Sequence, residues 1–149
     1  MTSRLLTIVF LGTVCIGFAG CDEKLSTVAG PTPNLEPTFA SIQSDIFRTS
    51  DNTGRSPCLN CHTSTGRTPS GGMNLNPDVA YEQLVNAPSP RKAGAIRVIP
   101  GDPDNSYLVQ KLEGAPGILG SRMPLNSSSF LTAGQIRIIR RWIAIGAPR

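Results

Sequence analysis

The sequence predicts an all-α domain of several short helices closed around something larger than its own side chains. Three observations lead there. Phe39, Ile42, Ile46 and Phe47 recur at i, i+3, i+7 and i+8, the spacing of one apolar stripe on a helix. Thr132 and Gln135 form a capping-box pattern ahead of Ile136, Ile139 and Ile143, which share a second helical face. The 149 residues include 15 glycines and 13 prolines but only 5% aromatic residues, so loops take many positions and the side-chain core is small for the length. A large bound cofactor would supply the missing filling.

Composition also excludes functions. The net charge is +4, from 14 Lys and Arg against 10 Asp and Glu, and the arginines are dispersed. Nucleic-acid surfaces cluster their cations on one face, so no nucleic-acid partner is expected. A multi-pass membrane protein needs repeated apolar spans of roughly 20 residues, and the one long apolar stretch lies at the extreme N-terminus.

That stretch is the first element. In MTSRLLTIVFLGTVCIGFAGC, Arg4 precedes the apolar run Leu5 to Ala19 and small residues then lead to Cys21, the pattern of an export signal. An ordinary secretory signal or an uncleaved anchor would export the domain equally. Phe18-Ala19-Gly20-Cys21 resembles the lipobox of bacterial lipoproteins, and the resemblance implies that Cys21 is lipidated and becomes the N-terminus. Acyl chains of about 0.8 kcal/mol per buried methylene would then anchor the protein to a membrane. Asp22 after such a cysteine favours the outer leaflet of the inner membrane, with the outer membrane as the other possibility. Residues 22–37, DEKLSTVAGPTPNLEP, are polar, rich in Pro and Thr, and without apolar periodicity, which suits a flexible tether. The expected organisation is a signal over residues 1–20, a tether over 21–36 and one domain over 37–149.

The first domain helix is predicted from about Pro37 to Thr49, ending before Asp51-Asn52-Thr53-Gly54. Next comes Cys58-Leu59-Asn60-Cys61-His62, a C-x-x-C-H motif. Cys15 leaves with the signal, so Cys58 and Cys61 are the cysteines left to the domain. Two thiols at this spacing can each add across a vinyl group of one haem while the adjacent imidazole lies under the iron. A thioredoxin-like pair would need a βαβ context, which is missing here. A zinc site would need four ligands, and no second Cys or His pair exists. The expectation is therefore one haem c, held covalently by Cys58 and Cys61 with His62 as axial ligand.

His62 is the only histidine, so the sixth ligand must be another group, and a methionine thioether is the usual partner. Met73 and Met123 are the candidates once the signal is gone. Met73 lies eleven residues past His62, too near for comfortable packing around a haem. Met123, in Gly120-Ser121-Arg122-Met123-Pro124-Leu125, is the expected ligand.

Asn76 and Pro77 are read as N-cap and first turn of a second helix through Tyr81, Leu84 and Val85. Asp102 and Pro103 do the same for a third through Tyr107, Leu108 and Leu112, stopped by Gly114 and Pro116. In the last helix Leu131 is placed to staple onto Ile136, and Arg137, Arg140 and Arg141 are read as a solvated face.

An N-terminal helix, C-x-x-C-H, short middle helices, a methionine loop and a final helix follow the order of class I c-type cytochromes. The chain is most similar to lipoprotein monohaem cytochromes c carrying Val-x-Pro-Gly-x-Pro-x-x-Ser-Tyr/Leu, then Met-Pro, then Ile-x-x-Trp-Ile-x-x-Gly-Ala. Here these are Val98 to Leu108, Met123-Pro124 and Ile139 to Ala147. The resemblance implies a cytochrome c-like fold in which Phe39, Ile42, Ile139 and Trp142 meet where the first and last helices cross beside the haem. It also implies a backbone carbonyl that accepts the second N–H of His62, for which Pro69 and Pro100 are candidates. Donors to the haem propionates are implied too, with Arg67, Arg97, Tyr107 and Trp142 as candidates. The expected function is one-electron transfer between redox protein donor and acceptor on the periplasmic side of the cell envelope, with no catalytic residues. Competing readings are a peroxidase-like enzyme or gas sensor with an open distal site, and a fixed haem subunit of a larger respiratory complex.

Overall fold

In the computed structural model, residues 35–51, 53–125 and 127–149 are described. The signal and lipidation readings, Cys21 included, and most of the tether lie outside them.

Thr38 opens helix α1 (Phe39–Ser41) by accepting the Ser41 N–H on its hydroxyl, and the helix continues directly as a π-helical segment (Ile42–Phe47). The predicted stripe is buried throughout, with Ile42 and Ile46 at 0% exposure. The wider π turn was not foreseen; it brings residues four and five apart onto one face, so that Gln43 and Phe47 are buried with Ile42. Gln43 donates to the Leu75 carbonyl at 2.9 Å and ties this helix to the loop after the C-x-x-C-H segment. Leu35, assigned to the tether by sequence, is 5% exposed and packs in the core, so the folded unit begins earlier than Pro37.

Two of the predicted helix starts are displaced. The Asn76 carbonyl accepts from Val79 and Ala80 in a turn, and helix α2 (Ala80–Leu84) begins only after it. Asn76 does not cap, because its side chain binds Thr63 and Ser64 instead. Similarly, Asp102 binds Asn105 in a tight turn, and Ser106 is the residue that precedes helix α3 (Tyr107–Glu113). The stop is as predicted: Gly114 has φ of +72°, a left-handed conformation, and a Cβ there would lie 3.0 Å from Arg122 Cδ.

Helix α4 (Ala133–Ala144) carries both halves of the predicted capping box, Gln135 N to Thr132 Oγ1 at 3.1 Å and Thr132 N to Gln135 Oε1 at 3.0 Å. It buries Ile136, Ile138, Ile139, Trp142 and Ile143. Phe39 meets Trp142 with ring centroids 5.6 Å apart and Tyr81 edge-on at 5.2 Å, so α1, α2 and α4 share one aromatic contact. Arg140 is not a free surface cation; it pairs with Asp104 and with Glu113 at 3.2 Å, linking α4 to α3.

Among the described residues there is no strand, only isolated bridges in the loop between α2 and α3, so the all-α expectation holds. None of the described helices is long and apolar enough to cross a membrane.

Candidate functional site

Local chain geometry sets up the C-x-x-C-H segment. Pro57 leads into a 3-10 turn (Cys58–Asn60), and the amides of Cys61 and His62 both donate to the Cys58 carbonyl, at 3.2 and 2.9 Å. The tight turn brings Cys58, Cys61 and His62 to the wall of one cavity while Leu59 packs on the core. Neither thiol is in a disulfide. Burial pushes the Cys58 thiol up to about 11, against the opposing charge of Arg55. A thiol so raised is protonated at neutral pH and is a poor attacking thiolate, unlike the first cysteine of a redox pair.

The loop after the motif folds back on it. Ser70 N donates to Cys61 O at 2.9 Å and Leu75 N to His62 O at 2.8 Å. This brings the Ser70 carbonyl within 2.9 Å of His62 Nδ1. A carbonyl can only accept, so Nδ1 carries the proton and Nε2 keeps its lone pair. The holding carbonyl is thus Ser70's rather than that of Pro69, which accepts from Gly72 within a 3-10 turn, or of Pro100. Burial lowers the pKa of His62, the nearby charges of Arg97 and Arg67 lower it further, and the backbone bonds of Ser70 and Met73 oppose them. The neutral imidazole, the form that binds metal, is the one favoured.

The cavity measures about 460 Å³. Ile46, Phe47, Leu75, Leu108, Leu112 and Leu131 give it apolar walls, and it opens to solvent where Leu119 and Leu125 are exposed. Both methionines line it. Met73 follows directly on the Ser70–Gly72 turn and belongs to the same loop as the His62 carbonyl contact, whereas Met123 is fastened elsewhere, by its N–H to the Lys111 carbonyl of α3 at 2.9 Å. His62 and Met123 therefore reach the cavity from different parts of the chain.

Of the polar candidates, Arg97 and Tyr107 line the cavity. The Tyr107 hydroxyl accepts from Leu119 N at 3.0 Å. Arg67 and Trp142 do not line it: Arg67 donates to the Asn60 carbonyl at 2.7 Å, and Trp142, at 0% exposure, donates to the Pro148 carbonyl at 2.7 Å. Sequence reasoning missed Arg55. It is fully buried beneath the motif and paired with Asp51 at 3.1 Å. Nothing in its polar surroundings, Gly54-Arg55-Ser56, signals a buried side chain.

Among the described residues no three His, Cys, Asp or Glu side chains converge as metal ligands. No protein family, no curated protein and no solved structure matches the chain.

Proposed function

We propose that this chain is an exported, membrane-tethered monohaem c-type cytochrome of class I fold, which passes single electrons between protein partners at the periplasmic face of a bacterial membrane. One observation carries the reading: both thiols and the only histidine of a C-x-x-C-H motif line a single, mainly apolar cavity with two methionine thioethers on its walls. The residues fit haem. The volume of about 460 Å³ falls within the roughly 300–1,000 Å³ of cofactor sites, and the only histidine presents an unprotonated Nε2.

In this reading Cys58 and Cys61 would hold the group through thioethers, and His62 and Met123 would ligate its iron. When bound, haem iron supplies a reversible one-electron couple. The Ser70 carbonyl fixes the His62 tautomer and raises its basicity as a ligand. Ile46, Phe47, Leu75 and Leu112 exclude water from the inner walls. With His62 and Met123 both given to the iron, the reading would leave no open iron position for a substrate, which favours electron transfer over catalysis. Cys21 supplies the lipid anchor that keeps the domain beside its partners.

The test is maturation of the full chain in a host with haem-ligation machinery, followed by mass spectrometry and absorption spectra of the ferric and ferrous forms. A mass gain of one haem that survives denaturation, and is lost in Cys58→Ala/Cys61→Ala, is the expected result. Colourless protein with both thiols free overturns the proposal.

A further inference from the structure

Three consecutive serines follow the methionine loop, and all three reach the same stretch of chain. The Ser56 N–H donates to Ser127 Oγ at 3.1 Å, Ser128 Oγ donates to the Gly54 carbonyl at 2.8 Å, and Ser129 Oγ shares a hydrogen bond with Thr53 Oγ1 at 2.7 Å. The receiving stretch leads directly into Pro57 and Cys58 and is itself firmly seated. Arg55, buried within it, donates to the Ile46 and Thr49 carbonyls at 3.1 and 2.9 Å and pairs with Asp51, which also accepts from Gln135 of α4 at 3.3 Å. Gly54 lets the serines come close: its φ of +80° is left-handed, and a Cβ there would lie 2.7 Å from Ser128 Oγ. On its other side Met123 is tied to α3, by its own N–H to the Lys111 carbonyl at 2.9 Å and by Arg122 Nε to the Leu112 carbonyl at 2.7 Å. Met123 is thus suspended between two anchors, and the serines are the one that joins it to the segment carrying C-x-x-C-H.

We propose that Ser127, Ser128 and Ser129 form a strap that positions Met123, keeping the methionine wall of the cavity closed on the C-x-x-C-H wall, and that opening the strap releases the methionine. This rests on the haem reading with Met123 as ligand. Thr53, Gly54 and Ser128 are exposed, so the strap's hydrogen bonds compete with water and each adds little net stability. The aromatic contact of Phe39, Tyr81 and Trp142 includes none of these residues. The strap can therefore open while the filled core stays folded, as weakly held loops do. Loss of three such bonds raises the open population about tenfold. The coupling is reciprocal: if an open strap weakens the hold on Met123, losing Met123 from the iron loosens the strap by the same factor.

The experiment uses the haem-loaded full chain. Carbon monoxide competes with the methionine for ferrous iron, so its binding rate reads how often Met123 lets go. Ser127→Ala/Ser128→Ala/Ser129→Ala should bind it about tenfold faster than wild type. Gly54→Ala, which pushes the strap away from the opposite side, should also bind it faster. Tyr81→Phe loses the 2.9 Å bond to the Ala147 carbonyl in the filled core, and should lower the melting temperature with the rate unchanged. A strap that only stabilised the fold would lower the melting temperature of the triple variant and leave its rate as in wild type. That result overturns the proposal, as does an equal acceleration in Tyr81→Phe. Where the strap variants do not mature, hydrogen exchange of the wild-type holoprotein decides. Displacing the methionine from ferric iron with cyanide should speed exchange of the Ser56 amide about tenfold and spare the Ala147 amide, which donates to the Trp142 carbonyl. An unchanged Ser56 amide refutes the proposal. Wild type without haem defeats the parent reading, and a methionine band that survives Met123→Ala defeats its ligand assignment; both remove the strap's role too, and absorption spectra reveal them before any rate is measured.

Discussion

His62 shows how much one carbonyl can decide. Its ring is directed not by charge but by the Ser70 backbone at 2.9 Å, which only a proton on Nδ1 satisfies. That contact depends on the loop from residue 62 to 75 closing on itself, which no residue type in the loop announces. The two methionines are the opposite case, legible as candidates in sequence and both on the cavity wall. Under the proposed haem reading, substitution decides which of the two is the ligand. Met123→Ala should abolish the methionine-to-ferric charge-transfer band of the holoprotein while Met73→Ala leaves it intact, read by ferric absorption; the reverse pattern transfers the ligand role to Met73. Asp51 is a further residue-scale test. Burial alone would raise its pKa, yet hydrogen bonds from Thr53, Arg55 and Gln135 hold it at about 2 against an ordinary 3.8. Its folded-state value is depressed, so its stabilising contribution is complete above about pH 4 and is lost as pH falls through 2. Denaturant unfolding between pH 5 and pH 2 should show this acid loss in wild type. Asp51→Asn should lack that part of the slope and be less stable by roughly 3 kcal/mol at pH 5, since it leaves Arg55 charged and unpaired.

Helices were legible where their signals lay within one turn of chain, and less so where a side chain had another use. The capping box of α4 is complete because Thr132 and Gln135 serve each other. Thr132→Ala should cost about 1 kcal/mol in chemical denaturation, the usual value of an N-cap. Asn76 and Asp102 have equally good capping chemistry, but both are spent on turns, one reaching Thr63 and Ser64, the other Asn105. The helices they were expected to cap accordingly start at Ala80 and Tyr107. Helix α1 was found by its apolar stripe, while its π-helical part was not, because Phe39, Ile42, Ile46 and Phe47 at i, i+3, i+7 and i+8 read as one face of an ordinary α-helix. Arg140 passed for a surface cation since its acids, Asp104 and Glu113, lie far away in sequence and meet it only when α3 packs on α4.

At the scale of the whole molecule, two unlike regions coexist. One is a filled core in which Phe39, Tyr81 and Trp142 bring α1, α2 and α4 together; the other is the cavity of about 460 Å³ bordered by loops. With nothing in the cavity, its apolar walls face water instead of packing against a partner. If the domain carries haem as proposed, Cys58→Ala/Cys61→Ala protein should lose its cooperative thermal transition or melt far below the haem-loaded form, as circular dichroism would show. Retention of the wild-type melting temperature would mean that the cavity needs no occupant. Trp142→Ala removes a fully buried indole from the other region and should cost roughly 3–5 kcal/mol in chemical denaturation.

What the amino-acid order determined by itself was local: an all-helical chain, the C-x-x-C-H pattern, the single histidine, the apolar stripes of the first and last helices, and the capping box of the last. Each depends on residues within a few positions of one another, where backbone geometry dictates which groups can meet. Tertiary structure alone decided which carbonyl orients His62, that both methionines reach the same cavity, that Arg55 has its acid, and that Arg140 is bound. Those outcomes turn on which distant segments become neighbours, and a buried charge has no local signature: burial is conferred by the segments that close over it.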